Sequence, residues 1–218
     1  MTERPLIFSA QMVRALLDGR KTMTRRVVKP QPPEGARYSG VHYACDAPDA
    51  WFFNSPHGGH RVRCAFGEGD RLWVREGFAG GRPGVANVIY RAGHENDRTS
   101  GPRVNMPWRS PIHMPRWASR LTLVVTDVRV ERLQDISEDD ARAEGVAKSH
   151  PGGWWSGADY QAAPTAKAAF ALLWNSIHGP DAWSENPWVC ALSFSVARQN
   201  IDAPPAPQPE PATGADHG

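Results

Sequence analysis

The run Arg120–Leu133, RLTLVVTDVRVERL, constrains the fold more than any other stretch. Leu121, Leu123 and Val125 alternate as they would on a strand with one buried face. Val128 and Val130 resume the alternation on a shifted phase. The slip near Asp127 predicts a bulge, or a bend around a barrel corner. Shorter strand patterns flank this one: Pro5 to Phe8, Val27-Val28 closed by Pro30, Arg71 to Glu76, Val85 to Tyr90, and Trp188 to Val196. Helical spacing appears between them. Ser9 suits an N-cap for Met12, Val13, Leu16 and Leu17, and Gly19 suits the residue past the helix end. Ser137 followed by Glu138, Asp139 and Asp140 opens a short helix that Gly145 ends. Thr165 caps a helix running to about Ile177, with Phe170, Leu173, Trp174 and Ile177 on one face, and Gly179-Pro180 stops it. Strands separated by loops too short for repeated parallel crossovers predict an α+β fold, a mostly antiparallel sheet or barrel with flanking helices.

Pro and Gly number 20 each, which implies long loops. Residues 30–66 and 92–118 are Pro-, Gly- and aromatic-rich, as are residues 147–164, and they read as loop insertions into a domain spanning 1–198. Trp51-Phe52-Phe53 argues for some packing within the first of them. From Gln199 to Gly218 the Pro/Ala-rich tail cannot bury a core and reads as disordered. Cys45, Cys64 and Cys190 are widely spaced and lack a zinc-ligand pattern, so reduced thiols and no metal are expected. No apolar run reaches membrane-spanning length and no leader pattern opens the chain, so the reading is cytoplasmic, with no membrane partner. The formal net charge of +2 excludes a global nucleic-acid-coating field, so any basic site is local.

One such site stands out. Gly19-Arg20-Lys21-Thr22-Met23-Thr24-Arg25-Arg26 collects cations and hydroxyls where a helix pattern gives way to a strand pattern. Two readings fit it. Basic residues commonly decorate a helix end, and a charged, hydroxyl-rich junction also suits chemistry.

Asp18 to Arg26 resembles the signature of ASCH-domain proteins, members of the PUA-like β-barrel superfamily. Gly69-Asp70-Arg71-Leu72-Trp73-Val74 resembles the barrel strand of that family. Leu133 to Val146, LQDISEDDARAEGV, resembles its acidic helix, and Trp188 to Phe194 its closing strand. The chain is also similar to larger, phage-associated ASCH proteins. The resemblance implies a PUA-like barrel and a pocket for a nucleobase or nucleoside. It further implies an amidohydrolase that frees cytidine and a carboxylate from N(4)-acetylcytidine without a cofactor. The implied catalytic trio is Lys21, Thr24 and Glu144, with Glu138 the acid if the register differs. Arg26, Arg25 and Thr22 are the implied substrate-binding residues.

Amide hydrolysis needs a nucleophile, a proton acceptor, charge stabilisation and a proton for the leaving amine. Thr24 supplies a hydroxyl. Lys21 serves as its base if burial and the neighbouring arginines depress its pKa, or as an oxyanion stabiliser if it stays charged. Glu144 takes the hydroxyl proton or delivers one to the departing nitrogen. These assignments stay open at the level of sequence. In a regular strand Lys21 and Thr24 point to opposite faces, so the trio requires an irregular turn within residues 21–24. Glu76 is expected to pair with a motif cation, Trp73 to be core, and Met114 to Trp117 to line the site. Tyr160, Trp154 and Trp155 read as loop packing. His113 and His178 have no evident partner. Two further functions fit the resemblance: a non-enzymatic reader of RNA, single-stranded nucleic acid or a modified base, and a ribonuclease.

Overall fold

The computed structural model describes residues 2–40, 50–56, 58–82, 85–94, 107–149, 153–155 and 162–204. Its strands in chain order are β1 (Glu3–Ile7), β2 (Met23–Val27), β3 (Arg37–Gly40), β4 (Ala50–Ser55), β5 (Gly58–Arg63), β6 (Arg71–Arg75), β7 (Phe78–Arg82), β8 (Val85–Tyr90), β9 (Thr122–Arg132), β10 (Ala147–Ser149), β11 (Gly153–Trp155) and β12 (Trp188–Ala197). The helices are α1 (Ala10–Leu17), α2 (Glu138–Ala143) and α3 (Ala166–His178). The class is α+β.

The long alternating run becomes β9, the hub of a five-stranded sheet in the order β1-β6-β9-β12-β2. Its phase slip is a bulge: Ser193 pairs with Asp127 and Phe194 with Val125, which leaves Thr126 as the extra residue. The bulge keeps Leu123, Val125 and Val130 in one core despite the broken alternation. β9 pairs antiparallel with β12 and β6, and β12 antiparallel with β2, whereas β1 runs parallel to β6.

Alternation along β12 divides the interior in two. Cys190, Leu192 and Phe194 join Leu72, Val74, Phe8 and the α1 residues Val13 and Leu16 on one face. Val189 points the other way, into a second cluster with Ala141 of α2 and Phe170, Leu173 and Trp174 of α3. Helix ends follow the sequence signals: the hydroxyls of Ser9, Ser137 and Thr165 accept from the backbone N–H of Met12, Asp140 and Ala168. Gly19 takes φ +73° just past α1, a left-handed conformation that lets Arg20 and Lys21 donate to the Ala15 carbonyl.

The expected barrel is not closed. Its end strands β1 and β2 are not hydrogen-bonded to each other. They nevertheless approach, since the Arg26 guanidinium on β2 donates to the Ile7 carbonyl on β1 at 3.3 Å. Side chains therefore occupy the seam where a barrel would have a ladder. The 30–66 stretch also differs from a plain loop: β3, β4 and β5 form an antiparallel sheet whose Phe53 and Val62 pack into the first core. Hydrophobic anchors in a Gly- and Pro-rich background carry little periodicity, which is why the pattern was faint. Likewise β7 pairs with β8, and β10 with β11 inside the 147–164 segment. The first tail residues are packed as well. Ile201 is buried, and the Asn200 amide donates to the carbonyls of Arg116 and Ser119. Residues 205–218 lie outside the described residues, as do Cys45 and Tyr160. Cys64 and Cys190 are buried and not in a disulfide. Among the described residues no helix is long and apolar enough to cross a membrane.

Candidate active site

The chain leaves α1, turns at Gly19 and runs through Lys21 before β2 begins at Met23. Lys21 and Glu144 form an isolated bridge, Thr22 donates its N–H to the Ala143 carbonyl, and the Phe194 N–H donates to the Thr22 carbonyl. This stitching ties the basic junction to the end of α2. Gly145, at φ +99°, makes room for it. A Cβ there would stand 3.0 Å from the Ala15 Cβ and 3.3 Å from the Lys21 Cβ.

Lys21 is fully buried, and its ammonium donates to Glu144 Oε2 at 2.7 Å and to the Glu144 carbonyl at 2.8 Å. Arg25, also buried, reaches the other carboxylate oxygen of Glu144 at 3.3 Å. Its remaining donors go to Glu131 Oε1 at 2.6 and 3.1 Å and to Asp140 Oδ2 at 2.8 Å. Asp140 and Glu144 are four residues apart, so both face β2 from α2 and its cap. Burial is the strongest influence on Lys21 and pushes its pKa below the ordinary 10.5. Glu144 opposes this, while Arg26 and Arg25 reinforce it. Burial works against the Arg25 charge too, but Glu144, Glu131 and Asp140 outweigh it and raise that pKa.

Glu144 looks into a cleft of about 470 Å³ at the seam between β1 and β2, within the range of about 300–1,000 Å³ common for small-molecule sites. Thr24, Arg25 and Arg26 form its polar floor with Glu144. Leu6 and Ile7 of β1, Met12 of α1, and Phe170, Leu173, Trp174 and Ile177 of α3 form apolar walls, and His178 also lines the cleft. The Thr24 hydroxyl accepts from Arg26 Nη1 at 2.8 Å. No hydrogen bond joins Thr24 to Lys21 or Glu144 among the described residues; Thr24 and Glu144 line the cleft, and Lys21, which does not line it, is tied to it through Glu144. The required irregularity lies at Lys21-Thr22, ahead of the strand, while Thr24 is a regular strand residue paired with Leu192.

No protein-family model, curated protein or solved structure matches the chain. The site is therefore judged on its own geometry.

Of the expected substrate-binding residues, Arg26 and Arg25 line the cleft. Thr22 does not; it is exposed on a separate open groove with Asp127 and Arg129, because its backbone is held by Ala143 and Phe194. Glu138 is a helix cap whose carboxylate accepts from the N–H groups of Ala166 and Lys167. Glu76 pairs with Arg120, at 2.8 and 3.0 Å, and not with a motif cation. Met114 is buried against Phe78 and Ala118, and Arg116 pairs with Asp202 and Glu3, so the Met114–Trp117 segment is bracing and not cleft lining. Trp73 is buried as expected. Trp154 lies under Arg142, and Trp155 borders a smaller hollow with Arg14 and Arg20. The aromatic wall of the cleft comes instead from α3. Its apolar stripe was legible as a helix face, but a stripe that packs a core and one that walls a cleft look alike in sequence. His178 does have a neighbour: its ring lies 4.2 Å from that of Trp174.

Proposed function

We propose that the chain is an N(4)-acylcytidine amidohydrolase with an ASCH-type, PUA-like sheet, taking a modified pyrimidine nucleoside and needing no cofactor. The observation that carries this reading is an apolar cleft lined by the Thr24 hydroxyl and by Glu144, whose carboxylate is paired with the fully buried Lys21. Such pairs are costly inside proteins, and perturbed titration in a cleft is a mark of functional sites.

In the proposed reaction the pyrimidine lies against the α3 wall, where Trp174 and Phe170 offer flat apolar surface. The Thr24 oxygen attacks the acyl carbonyl, and its proton passes to the Lys21–Glu144 pair. Arg26, already donating to that oxygen, stabilises the oxyanion that develops beside it. Collapse breaks the C–N bond, and the pair returns the proton to the departing amine, giving cytidine and a Thr24 ester. Water then attacks the ester and yields its proton to the pair. The carboxylic acid leaves as Thr24 regains a proton. Arg25 holds one oxygen of Glu144, leaving the other for Lys21, and so fixes the pair in place. Hydrogen bonds that are absent without substrate can form once it binds.

The test is incubation of purified protein with N(4)-acetylcytidine, with cytidine and acetate measured by chromatography. Release of both, lost in Thr24→Val and retained in Thr24→Ser, is the expected result. Absence of release across acetyl, butyryl and benzoyl substrates overturns the reading. Cleavage of RNA by the same preparation would favour the ribonuclease instead, and base-selective binding without turnover the non-enzymatic reader.

A further inference from the structure

Arg26 differs from Lys21 and Arg25 in having no salt bridge to a carboxylate among the described residues. Lys21 is paired with Glu144, and Arg25 with Glu131, Asp140 and Glu144. Arg26 Nη1 donates to the Thr24 hydroxyl and the Arg25 carbonyl, and Nη2 to the Ile7 carbonyl. A guanidinium carries five N–H donors, and three of them are taken by these bonds; Nε and one hydrogen of Nη2 have no acceptor among the described residues. The group is half-buried against the Phe8 ring, 5.3 Å from its centroid. Burial disfavours the Arg26 charge and the Glu144 carboxylate offsets this only in part, an imbalance that an anion relieves.

The surroundings point the same way. His178 lines the same cleft, and its pKa is lowered by burial, then by the charges of Arg26 and Lys29. Lys29 is exposed and has no salt bridge among the described residues. Trp174, stacked on His178, keeps its buried indole N–H without an acceptor. Glu144 is the one carboxylate among the residues lining the cleft, and both its oxygens are engaged. Donors and positive charge exceed acceptors at the Arg26–His178 end.

We propose that this end of the cleft binds an anionic group of the substrate, held by Arg26 with His178 lining the same cleft. The proposal rests on the amidohydrolase reading for the identity of the substrate, but not for the presence of the anion site. The shared chemistry is an oxyanion, either the phosphate of a nucleotide or a carboxylate ending the acyl chain. Arg26 suits both, because its planar fork matches two oxygens at once.

Binding of cytidine 5′-monophosphate and of cytidine, compared by calorimetry at low salt, tests the phosphate source. Turnover of N(4)-succinylcytidine against N(4)-butyrylcytidine tests the carboxylate source. A charge-assisted hydrogen bond corresponds to about tenfold or more in affinity. The expected result is at least that preference for one anionic member of a pair. It should fall toward parity in Arg26→Gln, recover only in part in Arg26→Lys, which keeps the charge but not the fork, and weaken as salt rises. Parity of cytidine and its monophosphate, together with equal turnover of the succinyl and butyryl substrates, overturns the proposal. If no acyl substrate is turned over, the binding pair alone decides: a preference for the monophosphate lost in Arg26→Gln supports the anion site while removing the amidohydrolase, and parity overturns the anion site.

Discussion

Two buried charge clusters built from the same chemical parts sit in different places in this protein. One is Glu76 with Arg120. The carboxylate is almost completely buried, both its oxygens are held, and the guanidinium lies 4.0 Å above the Tyr90 ring. It is one acid and one base, and it borders none of the described cavities. The other joins Lys21 and Arg25 to Glu144, Glu131 and Asp140; it reaches the 470 Å³ cleft through Arg25 and Glu144, beside Arg26, which has no salt bridge among the described residues. Burial is common to both, so burial alone does not mark a site. What separates them is a surplus of donors facing a cavity that admits a ligand.

The largest effects should come from breaking the acids. Glu144→Ala leaves Lys21 without a carboxylate and Arg25 one oxygen short, and removal of one member of a buried pair costs about 3–5 kcal/mol. Arg120→Ala strands Glu76 and should cost about 3 kcal/mol by the same reasoning. Chemical denaturation measures both. The contrast lies in turnover: acylcytidine hydrolysis should vanish in Glu144→Ala and persist in Arg120→Ala below its unfolding midpoint. Equal loss of activity in the two would erase the distinction between site and staple.

Thr24→Val removes a hydroxyl and keeps the shape of the side chain. The expected loss in kcat/KM is about 10³-fold, an effect of roughly 4 kcal/mol on the barrier, with a melting temperature close to wild type. A variant that melts far lower would show the Arg26–Thr24 hydrogen bond to be mainly structural. Gly145→Ala tests the bracing behind Lys21. The position is at φ +99°, and the added Cβ meets Ala15 and Lys21. A cost of about 1–3 kcal/mol is expected, with activity falling through the displaced lysine. An Ala at Gly93, where a Cβ meets nothing within 4 Å, is the control.

The same contrast explains what the sequence could carry. Strands and helix caps were legible because alternation, Ser9, Ser137 and Thr165 act locally. The Lys21–Glu144 meeting spans residues far apart, and only the family resemblance brought the two together before the fold did. Arg25 looked like a ligand-binding cation; Glu131 and Asp140 occupy it, and nothing in its own neighbourhood of sequence announces two acids arriving from β9 and α2. The expected barrel failed for a related reason. Strand patterns specify a curved sheet, but whether its edges pair depends on side chains such as Arg26 filling the seam. The sheet of β3 to β5 was faint because its anchors, Phe53 and Val62, stand among glycines and polar residues.

The smallest effect concerns pH. Lys21 has a folded pKa below 10.5 because burial disfavours its charge. The unfolded chain therefore binds more protons than the folded one between that lowered value and 10.5, and the Lys21 contribution to stability rises with pH across this window. Glu76 has the opposite slope. Its folded pKa lies above the ordinary carboxylate value, first through burial, with Arg120 opposing. Its contribution is fully present below the ordinary value and is lost as pH rises through the raised one. Stability measured against pH in Lys21→Met should lack the alkaline rise, and Glu76→Gln should lack the decline above the acid range. The catalytic side is sharper. If Lys21 shares the proton in the reaction, kcat/KM climbs with pH about a midpoint below 10.5, and Lys21→Arg, which keeps the charge but cannot release its proton in this range, abolishes that limb. An unchanged limb in Lys21→Arg would move the proton transfer to Glu144 alone and leave Lys21 with the same role as Arg120, a fixed charge holding a carboxylate in place.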